Sequence, residues 1–493
     1  MNENIKTEVR ANPKNYKIGW KGWLLIWGLG LAGQLCWCVE NNWFANYLGR
    51  EFGYNPGIVT AMTICSALAT TFATFLFGTW SDRKGTRKPF VAFGYIAWGV
   101  FTIVYGLTHL YSQSIYGNVV AIGIVIVLTD TVMSFFGSAG NDSGFNAWCS
   151  DMLSDGNRGQ IGATLAVQPV LGTLIGTVAG GAIIEAFSKK DPLTGEAIGA
   201  TGYMEFFIIM GIFVMLFGIL ALFTMKNAPK LKPYKNGSFW HQFASVFNFK
   251  KFFKMKELVW INVAVTVYFV GFNCFFLHVM GWLNFSLQFG EGNAGMLLGI
   301  PLIIATLISI PAIFLINKNR SPIVAFFSIA VTIVGALYIF FVVGDGSGLD
   351  PNRVVAGYTD VFNVKNLPVL VGITLLGIGY VCSIQTYMVW QKKLYPDEQR
   401  GQFEGIRILF FVLFPMVLGS LIAQPIIEAT GASRDIIGIN GMVYTESLPT
   451  HYLFIGSAVL ALLSVIPLIF ATRLHNARVK LEKTTEVIVA PID

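Results

Sequence analysis

Long runs of apolar residues alternate with short polar segments along almost the entire sequence. An α-helix needs about 20 consecutive apolar residues to cross the hydrocarbon core of a bilayer, and the runs reach that length. Because the runs leave no room for a separate soluble domain, they predict an all-α, polytopic membrane protein with twelve transmembrane helices. The predicted helices occupy residues 22–47, 57–79, 89–109, 118–149, 159–185, 203–225, 257–283, 294–316, 322–343, 368–391, 401–428 and 452–472.

The connections between the runs differ in charge, and basic connections alternate with the others. Cytoplasmic loops of membrane proteins are enriched in Lys and Arg. We therefore expect both termini in the cytoplasm and the protein in the cell membrane. One side carries Lys14, Lys17, Lys21, Arg83, Lys84, Arg87, Lys88, the lysines of residues 226–256, Lys318, Arg320, Lys392, Lys393, Arg400, Arg473, Arg478 and Lys480, whereas the other has few cations, such as Arg50, Lys189, Lys190, Arg353, Lys365 and Arg434.

The composition agrees with a membrane location. Of the 493 residues, 54% are hydrophobic and only 12% are charged, whereas a soluble domain is about a quarter charged. The net charge of +7 lies in the short connections, so it reports topology and predicts no nucleic-acid partner. The six cysteines lack the paired spacing of a zinc site. We expect the lipid bilayer as a partner, no metal or other cofactor, and a monomer.

One long basic segment separates two sets of six runs. We assign residues 1–225 to an N-terminal half, 226–256 to a cytoplasmic basic linker and 257–493 to a C-terminal half. The linker is either an ordinary connection or a segment lying on the anionic inner leaflet. Trp23 and Trp148 recur as Trp260 and Trp390 in the corresponding runs, so the halves are pseudo-repeats. Secondary transporters with two parallel repeats bind substrate near the midplane, between the repeats.

One of the apolar runs contains an acid deep inside it. Asp142 lies nine residues before Asp151, and therefore about 13 Å into a core about 30 Å thick. A central Asp costs roughly 2.5–3.5 kcal/mol, so such residues usually face a bundle interior or a wet cavity. Asn146 shares the face of Asp142, and together a carboxylate and an amide can bind neighbouring hydroxyl groups. We predict that both bind substrate; the alternative for Asp142 is capping or packing.

Other polar residues in the runs are further candidates. Glu40 is a predicted cation-coupling residue together with Asp142, although a gating or interfacial role would also fit its position. Asp130 lies about 18 Å from Asp142 along the same helix, near the outer boundary, and both functional and structural roles are open. His278 either titrates near neutral pH or is a hydrogen-bonded structural residue. The remaining predicted substrate-binding residues are Gln34, Asn41, Trp43, Gln168, Asn273 and Gln385, with Trp37 and Trp390 as further aromatic candidates.

The connection after the second run carries the motif GTWSDRKGTRK at residues 78–88. A merely basic loop, the alternative, would not require an Asp among the cations. The pattern Gly-x-x-x-Asp-Arg-x-Gly-x-Arg-Lys, with twelve helices in two halves, resembles the major facilitator superfamily. That resemblance implies a gating role on the cytoplasmic side for Asp82, Arg83 and Arg87. Arg158 and its repeat counterpart Arg400 are assigned to gating as well.

The fourth predicted helix narrows the resemblance. Asp142, followed by Asp155 and Arg158, resembles the glycoside-pentoside-hexuronide:cation symporters, in which the first Asp binds sugar hydroxyls. The Asp142-x-x-x-Asn146 element and the surroundings of Glu40 resemble sucrose-type proton symporters. Melibiose-type members use acids on the second helix to hold sodium, but residues 57–79 contain none. The resemblance therefore favours a proton over sodium as the coupling ion.

Together these features predict a secondary active transporter, a symporter of protons with a sugar or glycoside, such as a disaccharide, that works by alternating access. The alternative is a proton-linked exporter of amphipathic small molecules, which predicts a cavity with few hydroxyl-binding groups. The sequence has no nucleophile motif, His/Glu metal cluster or phosphate-binding loop, so we do not expect an enzyme.

Overall fold

A computed structural model describes residues 17–108, 110, 119–154, 156–189, 201–229, 231–245, 249–354, 361–395, 400–437 and 443–489. Within these ranges, twelve helices are long and apolar enough to cross a membrane. The predicted fold class, an all-α polytopic membrane protein, is confirmed. The hydropathy pattern was sufficient to predict this fold class because a bilayer-spanning helix must be both long and apolar.

The transmembrane helices, numbered in chain order, lie close to the predicted runs. Several extend beyond the apolar run at one or both ends, because a helix satisfies its own backbone hydrogen bonds and need not stop where the hydrocarbon ends. Their bounds are α1 Trp20–Phe52, α2 Pro56–Lys84, α3 Lys88–Gly106, α4 Ala121–Asp151, α5 Arg158–Phe187, α6 Tyr203–Thr224, α7 Lys256–Ser286, α8 Glu291–Asn317, α9 Ser321–Val343, α10 Leu367–Leu394, α11 Gly405–Thr430 and α12 Tyr452–Glu482.

The two ends of α2 illustrate how the local sequence determines where a transmembrane helix begins and ends. Asn55 precedes the helix, and its side chain accepts a hydrogen bond of 3.1 Å from the backbone N–H of Ile58. Pro56 occupies the first turn, where a missing N–H costs nothing. Gly85 ends the helix at a φ of +64°, a left-handed conformation that favours glycine. The motif of residues 78–88 therefore lies across a helix end and the turn that follows it.

We name two bundles of six transmembrane helices after the predicted division of the chain. Helices α1–α6 form the N-terminal half and α7–α12 the C-terminal half, with two short helices, Phe239–Ser245 and Phe249–Phe252, in the predicted linker. The halves pack through three helix pairs, α1 with α7, α2 with α11 and α5 with α8. We call the membrane side of Arg83, Lys226 and Lys318 the basic face and the other side the opposite face.

Glycines bring α5 and α8 into close contact across the interface between the halves. A Cβ atom on Gly295 would lie only 2.2 Å from the carbonyl oxygen of Thr177. A Cβ atom on Gly181 would lie 2.4 Å from the carbonyl oxygen of Glu291. Small residues permit this backbone approach, as in other membrane helix pairs. On another face of α5, Gly172 and Gly176 lie against Gln34 and Cys38 of α1, so glycines permit close packing within the N-terminal half as well.

We expect Gly295→Ala to weaken the contact between the halves. The added methyl group would overlap backbone, which cannot move aside as a flexible side chain can, and overpacking of this kind typically costs about 1–3 kcal/mol. The matched control is Gly162→Ala on α5, where a Cβ atom meets nothing within 4 Å. Thermal unfolding of the purified protein should show a lower Tm for Gly295→Ala than for Gly162→Ala. Equal values of Tm would contradict the proposed tight contact.

Wide helical turns interrupt four of the transmembrane helices. Residues 138–145 of α4, 282–286 of α7, 339–343 of α9 and 409–413 of α11 adopt π-helical geometry. The hydropathy pattern did not predict them. Such turns occur often at functional sites, because the extra residue redirects neighbouring side chains. The longest of the four contains Asp142.

A β-hairpin follows α11 on the opposite face. Its strands are β1, Ser433–Ile437, and β2, Val443–Ser447, and they pair antiparallel. The hairpin contacts the N-terminal half, since Tyr54 donates its backbone N–H to Glu446 at 3.0 Å and its carbonyl accepts from Ser447 N at 3.0 Å. The hydropathy pattern did not predict this element, and it helps to join the halves at the opposite face.

Candidate functional site

A cavity lies between the halves on one side of the contact between α1 and α7. The rings of Phe272 and Tyr380 stack there, with centroids 4.4 Å apart and planes 15° apart. Phe276 stacks against Phe272 with a centroid distance of 4.9 Å. This aromatic cavity encloses about 670 Å³ with its open mouth and is lined by Asn42, Thr173, Thr177, Phe272, Phe275, Phe276, Val279, Leu298, Pro301, Leu302, Ile373, Leu376, Gly377 and Tyr380.

A second cavity lies on the other side of the same helix contact. Glu40 of α1 and Asp130 of α4 both line it, and the two carboxyl groups interact electrostatically. Glu40 Oε1 accepts a hydrogen bond of 2.9 Å from Ser134 Oγ. This acidic cavity has a volume of about 30 Å³ and is lined by Glu40, Asn41, Phe44, Ala45, Val59, Met62, Thr63, Ser66, Asp130, Leu277 and Met416.

Asp142 lies outside both linings and closer to the basic face. Its carboxylate accepts hydrogen bonds from Ser138 Oγ at 2.8 Å and from Asn141 Nδ2 at 3.1 Å. Asn141 is held in turn by Tyr95, whose hydroxyl donates to Asn141 Oδ1 at 2.8 Å. Asp142 is half-buried, and Arg407 of the C-terminal half interacts with it electrostatically. The carboxylate is therefore preorganised by its own helix and lies within electrostatic range of the C-terminal half.

Three other predicted binding residues lie near these groups. Asn146 is exposed, one turn closer to the basic face than Asp142. Asn41 lines the acidic cavity, although its Nδ2 donates to the carbonyl of Trp37 at 2.8 Å. Gln34 lies against Gly172 at the contact between α1 and α5. Of the three, Asn41 is in the lining of a cavity described above.

The other four predicted binding residues lie in contacts within one half. Trp43 is 0% exposed, and its indole N–H donates to the carbonyl of Gly176 at 2.9 Å. Gln168 Nε2 donates to the carbonyl of Ile26 at 2.8 Å and so joins α5 to α1. Asn273 donates to Phe269 of its own helix. Gln385 donates to Ser309 Oγ at 3.1 Å. The linings of the two cavities contain none of these four.

The further aromatic candidates lie in similar contacts. The ring of Trp37 packs against Trp98 with centroids 4.8 Å apart. The indole N–H of Trp390 donates to Glu257 Oε1 at 2.9 Å, and the side chain is 0% exposed. The aromatic residues that do line a cavity are different ones, chiefly those of α7 and α10. Sequence alone did not single them out because they are a few among the 41 phenylalanines and 17 tyrosines of the chain.

Polar contacts join the halves at the opposite face. Arg50 at the end of α1 donates from Nε and Nη2 to Glu291 Oε1 of α8, both at 2.9 Å. Asn46 donates to Asn284 Oδ1 at 2.5 Å. The Tyr54 hydroxyl contacts His278 Nδ1 at 2.7 Å, and this histidine is 0% exposed. The structure is therefore a conformation closed at the opposite face.

The basic face contains an ion-pair network formed by the motif of residues 78–88. Arg87 pairs with Asp82 at 2.6 Å and with Asp151 at 2.8 Å, and it donates to Ser81 Oγ at 2.5 Å. Burial alone would lower the pKa of the Arg87 guanidinium, but the two carboxylates outweigh burial and hold this pKa above its ordinary value. The network ties the end of α2 to the end of α4.

The other predicted gating residues have different surroundings. Arg83 donates to the carbonyl of Gly237 at 2.9 Å and to Gln242 Oε1 at 3.0 Å, so it holds the linker segment. Arg158 is exposed at the start of α5. The side chain of Arg400 lies outside the described residues, as does Asp155. The assignment of Arg83, Arg158 and Arg400 to a gate stays a prediction.

Sequence reasoning missed several residues that the structure brings together. The Arg50–Glu291 pair joins residues far apart in sequence, and each alone resembled an ordinary residue at a helix end. Asp130 was placed near the outer boundary, yet it is 1% exposed. The sequence named Asp130 but not its neighbours: it lies four residues before Ser134 on one face of α4, and Ser134 donates to Glu40.

Twelve transmembrane helices in two packed halves, with cavities between the halves, define a multi-pass membrane transporter rather than an enzyme. The chain belongs to the Major Facilitator Superfamily, whose sequence profile matches residues 35–350. This confirms the resemblance at the level of the superfamily. Assignment to the glycoside-pentoside-hexuronide or the sucrose-type group stays a prediction.

Solved structures share the fold at low sequence identity. The nucleoside transporter NupG is 13% identical, with a TM-score of 0.63, 91% of this chain covered and 99% of that chain. A D-xylose-proton symporter is 13% identical, with a TM-score of 0.63 and coverages of 90% and 97%. An inward-facing bacterial homolog of the human lysosomal transporter Spinster is 16% identical, with a TM-score of 0.59 and coverages of 95% and 99%. No curated protein matches the sequence.

Proposed function

We propose that the protein is a sugar or glycoside:proton symporter, with a disaccharide as its expected substrate, that works by alternating access in the cell membrane. The observation that carries this proposal is the set of polar groups at the boundary between the halves, where Asp142 accepts two hydrogen bonds and lies within electrostatic range of Arg407. A preorganised carboxylate is a strong acceptor for sugar hydroxyl groups. Asp142 and Asn146 are the proposed hydroxyl-binding residues.

The aromatic cavity supplies the second part of the argument. The two faces of a pyranose ring are largely C–H, and a flat aromatic wall such as that of Phe272 and Tyr380 suits them. Asn42, Thr173 and Thr177 on the facing wall carry groups that can bind hydroxyls. This division between an apolar wall and a polar wall matches the two kinds of surface that a glycoside presents.

Topology and coupling complete the proposal. The basic face is proposed to be cytoplasmic by the positive-inside rule, so that the conformation closed at the opposite face is inward-facing. Glu40 is proposed to take part in coupling to protons, and the protein is proposed to act as a monomer. Binding of substrate and proton from the opposite face would then precede closure by Arg50 and Glu291.

A second candidate function is the export of amphipathic small molecules driven by protons. It is favoured by the lining of the aromatic cavity, in which carbon-rich side chains outnumber those with hydroxyl or amide groups. A cavity of this kind binds apolar surface through burial more than through hydrogen bonds.

Reconstituted vesicles distinguish the two functions. With a proton gradient imposed across the membrane, a symporter should accumulate a labelled disaccharide or glycoside, and unlabelled sugar should compete. An exporter should instead move an amphipathic dye against its gradient and ignore the sugars. Transport of the dye without any sugar uptake would overturn the symport proposal.

A further inference from the structure

Two acids in the acidic cavity each have an oxygen without a hydrogen-bond partner among the described residues. Asp130 is 1% exposed and its Oδ1 has no partner. Glu40 uses Oε1 to accept from Ser134, while its Oε2 is buried and has only the Ser66 hydroxyl close to it. The Ser66 hydroxyl beside Glu40 donates to the carbonyl of Thr63 at 3.3 Å. Both carboxyl groups therefore present an unused oxygen in the same small cavity.

Two ionised carboxylates in this position would be unfavourable. A buried charge without a compensating partner loses its hydration, and two like charges in a medium of low dielectric constant repel each other. One bound cation would reduce the net negative charge of the two carboxylates and would give their unpartnered oxygens a partner.

The neighbours of the pair do not neutralise it. Asp142 is a further negative group that acts on Glu40, and Arg407 acts on Asp142. Tyr105 and Cys36 are the uncharged titratable neighbours. The described lining of the acidic cavity contains no Lys, Arg or His.

We propose that Glu40 and Asp130 together bind one proton and form the coupling site of the transporter. This inference rests on the symport proposed above. A proton needs only the two carboxyl groups, whereas a metal ion such as calcium takes six or more oxygen ligands. Much of the remaining wall is hydrocarbon, including Val59, Leu277 and Met416. The site assigns to Asp130 a role that its position in the sequence left open.

The location of the site explains how a proton could be linked to alternating access. Its wall includes Leu277 of α7 and Met416 of α11, so both halves enclose it. Separation of the halves at the opposite face would admit water, and water lowers the cost of two ionised carboxylates. Binding of the proton then stabilises the closed, dry arrangement, and loss of the proton favours the hydrated one.

The test uses vesicles in sodium-free buffer and two readouts, accumulation driven by a proton gradient and exchange of labelled for unlabelled sugar. Asp130→Asn and Glu40→Gln should each reduce the accumulation ratio to about 1 and abolish proton uptake with the sugar, while exchange continues. The control is Thr131→Val, next to Asp130, whose hydroxyl donates within its own helix. Accumulation and proton uptake that persist in Asp130→Asn would overturn the inference, as would accumulation driven by a sodium gradient alone in a parallel set of vesicles.

A measurement without substrate separates this inference from the proposed function. Infrared spectra of the purified protein near neutral pH should contain a protonated-carboxyl band that is lost in both Asp130→Asn and Glu40→Gln and retained in Thr131→Val. If no sugar is exchanged but the band behaves in this way, the proposed substrate is wrong and the proton site stands. If the band is absent from the unsubstituted protein, the proton site is wrong.

Discussion

Asp142→Asn should reduce sugar exchange about 100-fold or more. The substitution removes the charge that strengthens hydrogen bonds with sugar hydroxyls, and hydrogen bonds to a charged group are worth about 1.5–3 kcal/mol each. Loss of about 2.7 kcal/mol corresponds to a factor of about 100 in affinity. The substitution also removes the electrostatic interaction between Asp142 and Arg407. Exchange of labelled sugar in reconstituted vesicles, measured as a function of sugar concentration, checks the size of the loss.

Two controls show whether Asp142 acts on the substrate. Ser143→Ala alters the same wide turn, where the Ser143 hydroxyl donates to the carbonyl of Ala139, and should leave exchange within about twofold. The exchanged pair Asp142→Arg with Arg407→Asp should not restore transport if the carboxylate binds sugar. Restored transport would identify Asp142 as half of an ion pair between the halves, and unchanged exchange by Asp142→Asn would remove it from the mechanism.

Glu291→Gln should open the opposite face. The Glu291 side chain is 5% exposed and that of Arg50 is 21% exposed, so the variant removes the negative charge from a largely buried ion pair. Removing one partner of a buried pair typically costs about 3–5 kcal/mol, and this cost applies only to the closed conformation. The population ratio should therefore shift by about 100-fold or more towards the open conformation.

Spin labels on the opposite face measure this shift. Lys189 and Phe362 are exposed on the N- and C-terminal halves, and the distance between labels there should increase in Glu291→Gln. The control Glu428→Gln removes an exposed acid of α11 that hydrogen-bonds with Gln424 of its own helix and should leave the distance unchanged. The reversed pair Arg50→Glu with Glu291→Arg should recover part of the closed population. Identical distances in Glu291→Gln and the unsubstituted protein would show that the pair does not hold the gate.

Candidate residues differed in how well sequence could place them. Depth along a helix follows from counting residues at about 1.5 Å each, which is why Asp142 was expected well inside the membrane. Counting residues along a helix does not show in which direction a side chain points. Trp43 and Gln168 have the depth of binding residues, yet both complete hydrogen bonds between α1 and α5. The transport experiments described above test which candidates contact substrate.

The sequence by itself determined the fold class and the number of transmembrane helices, because hydrocarbon forces each spanning segment to be long, apolar and helical. The motif of residues 78–88 indicated the superfamily. Only the tertiary structure decided which residues meet across the halves. Glu40 and Asp130 share a cavity, and Arg50 reaches Glu291, through packing between helices that are distant in the chain. A helix pattern records the face of each residue within one element, whereas the rotation and contact of one helix against another depend on all the side chains packed between them.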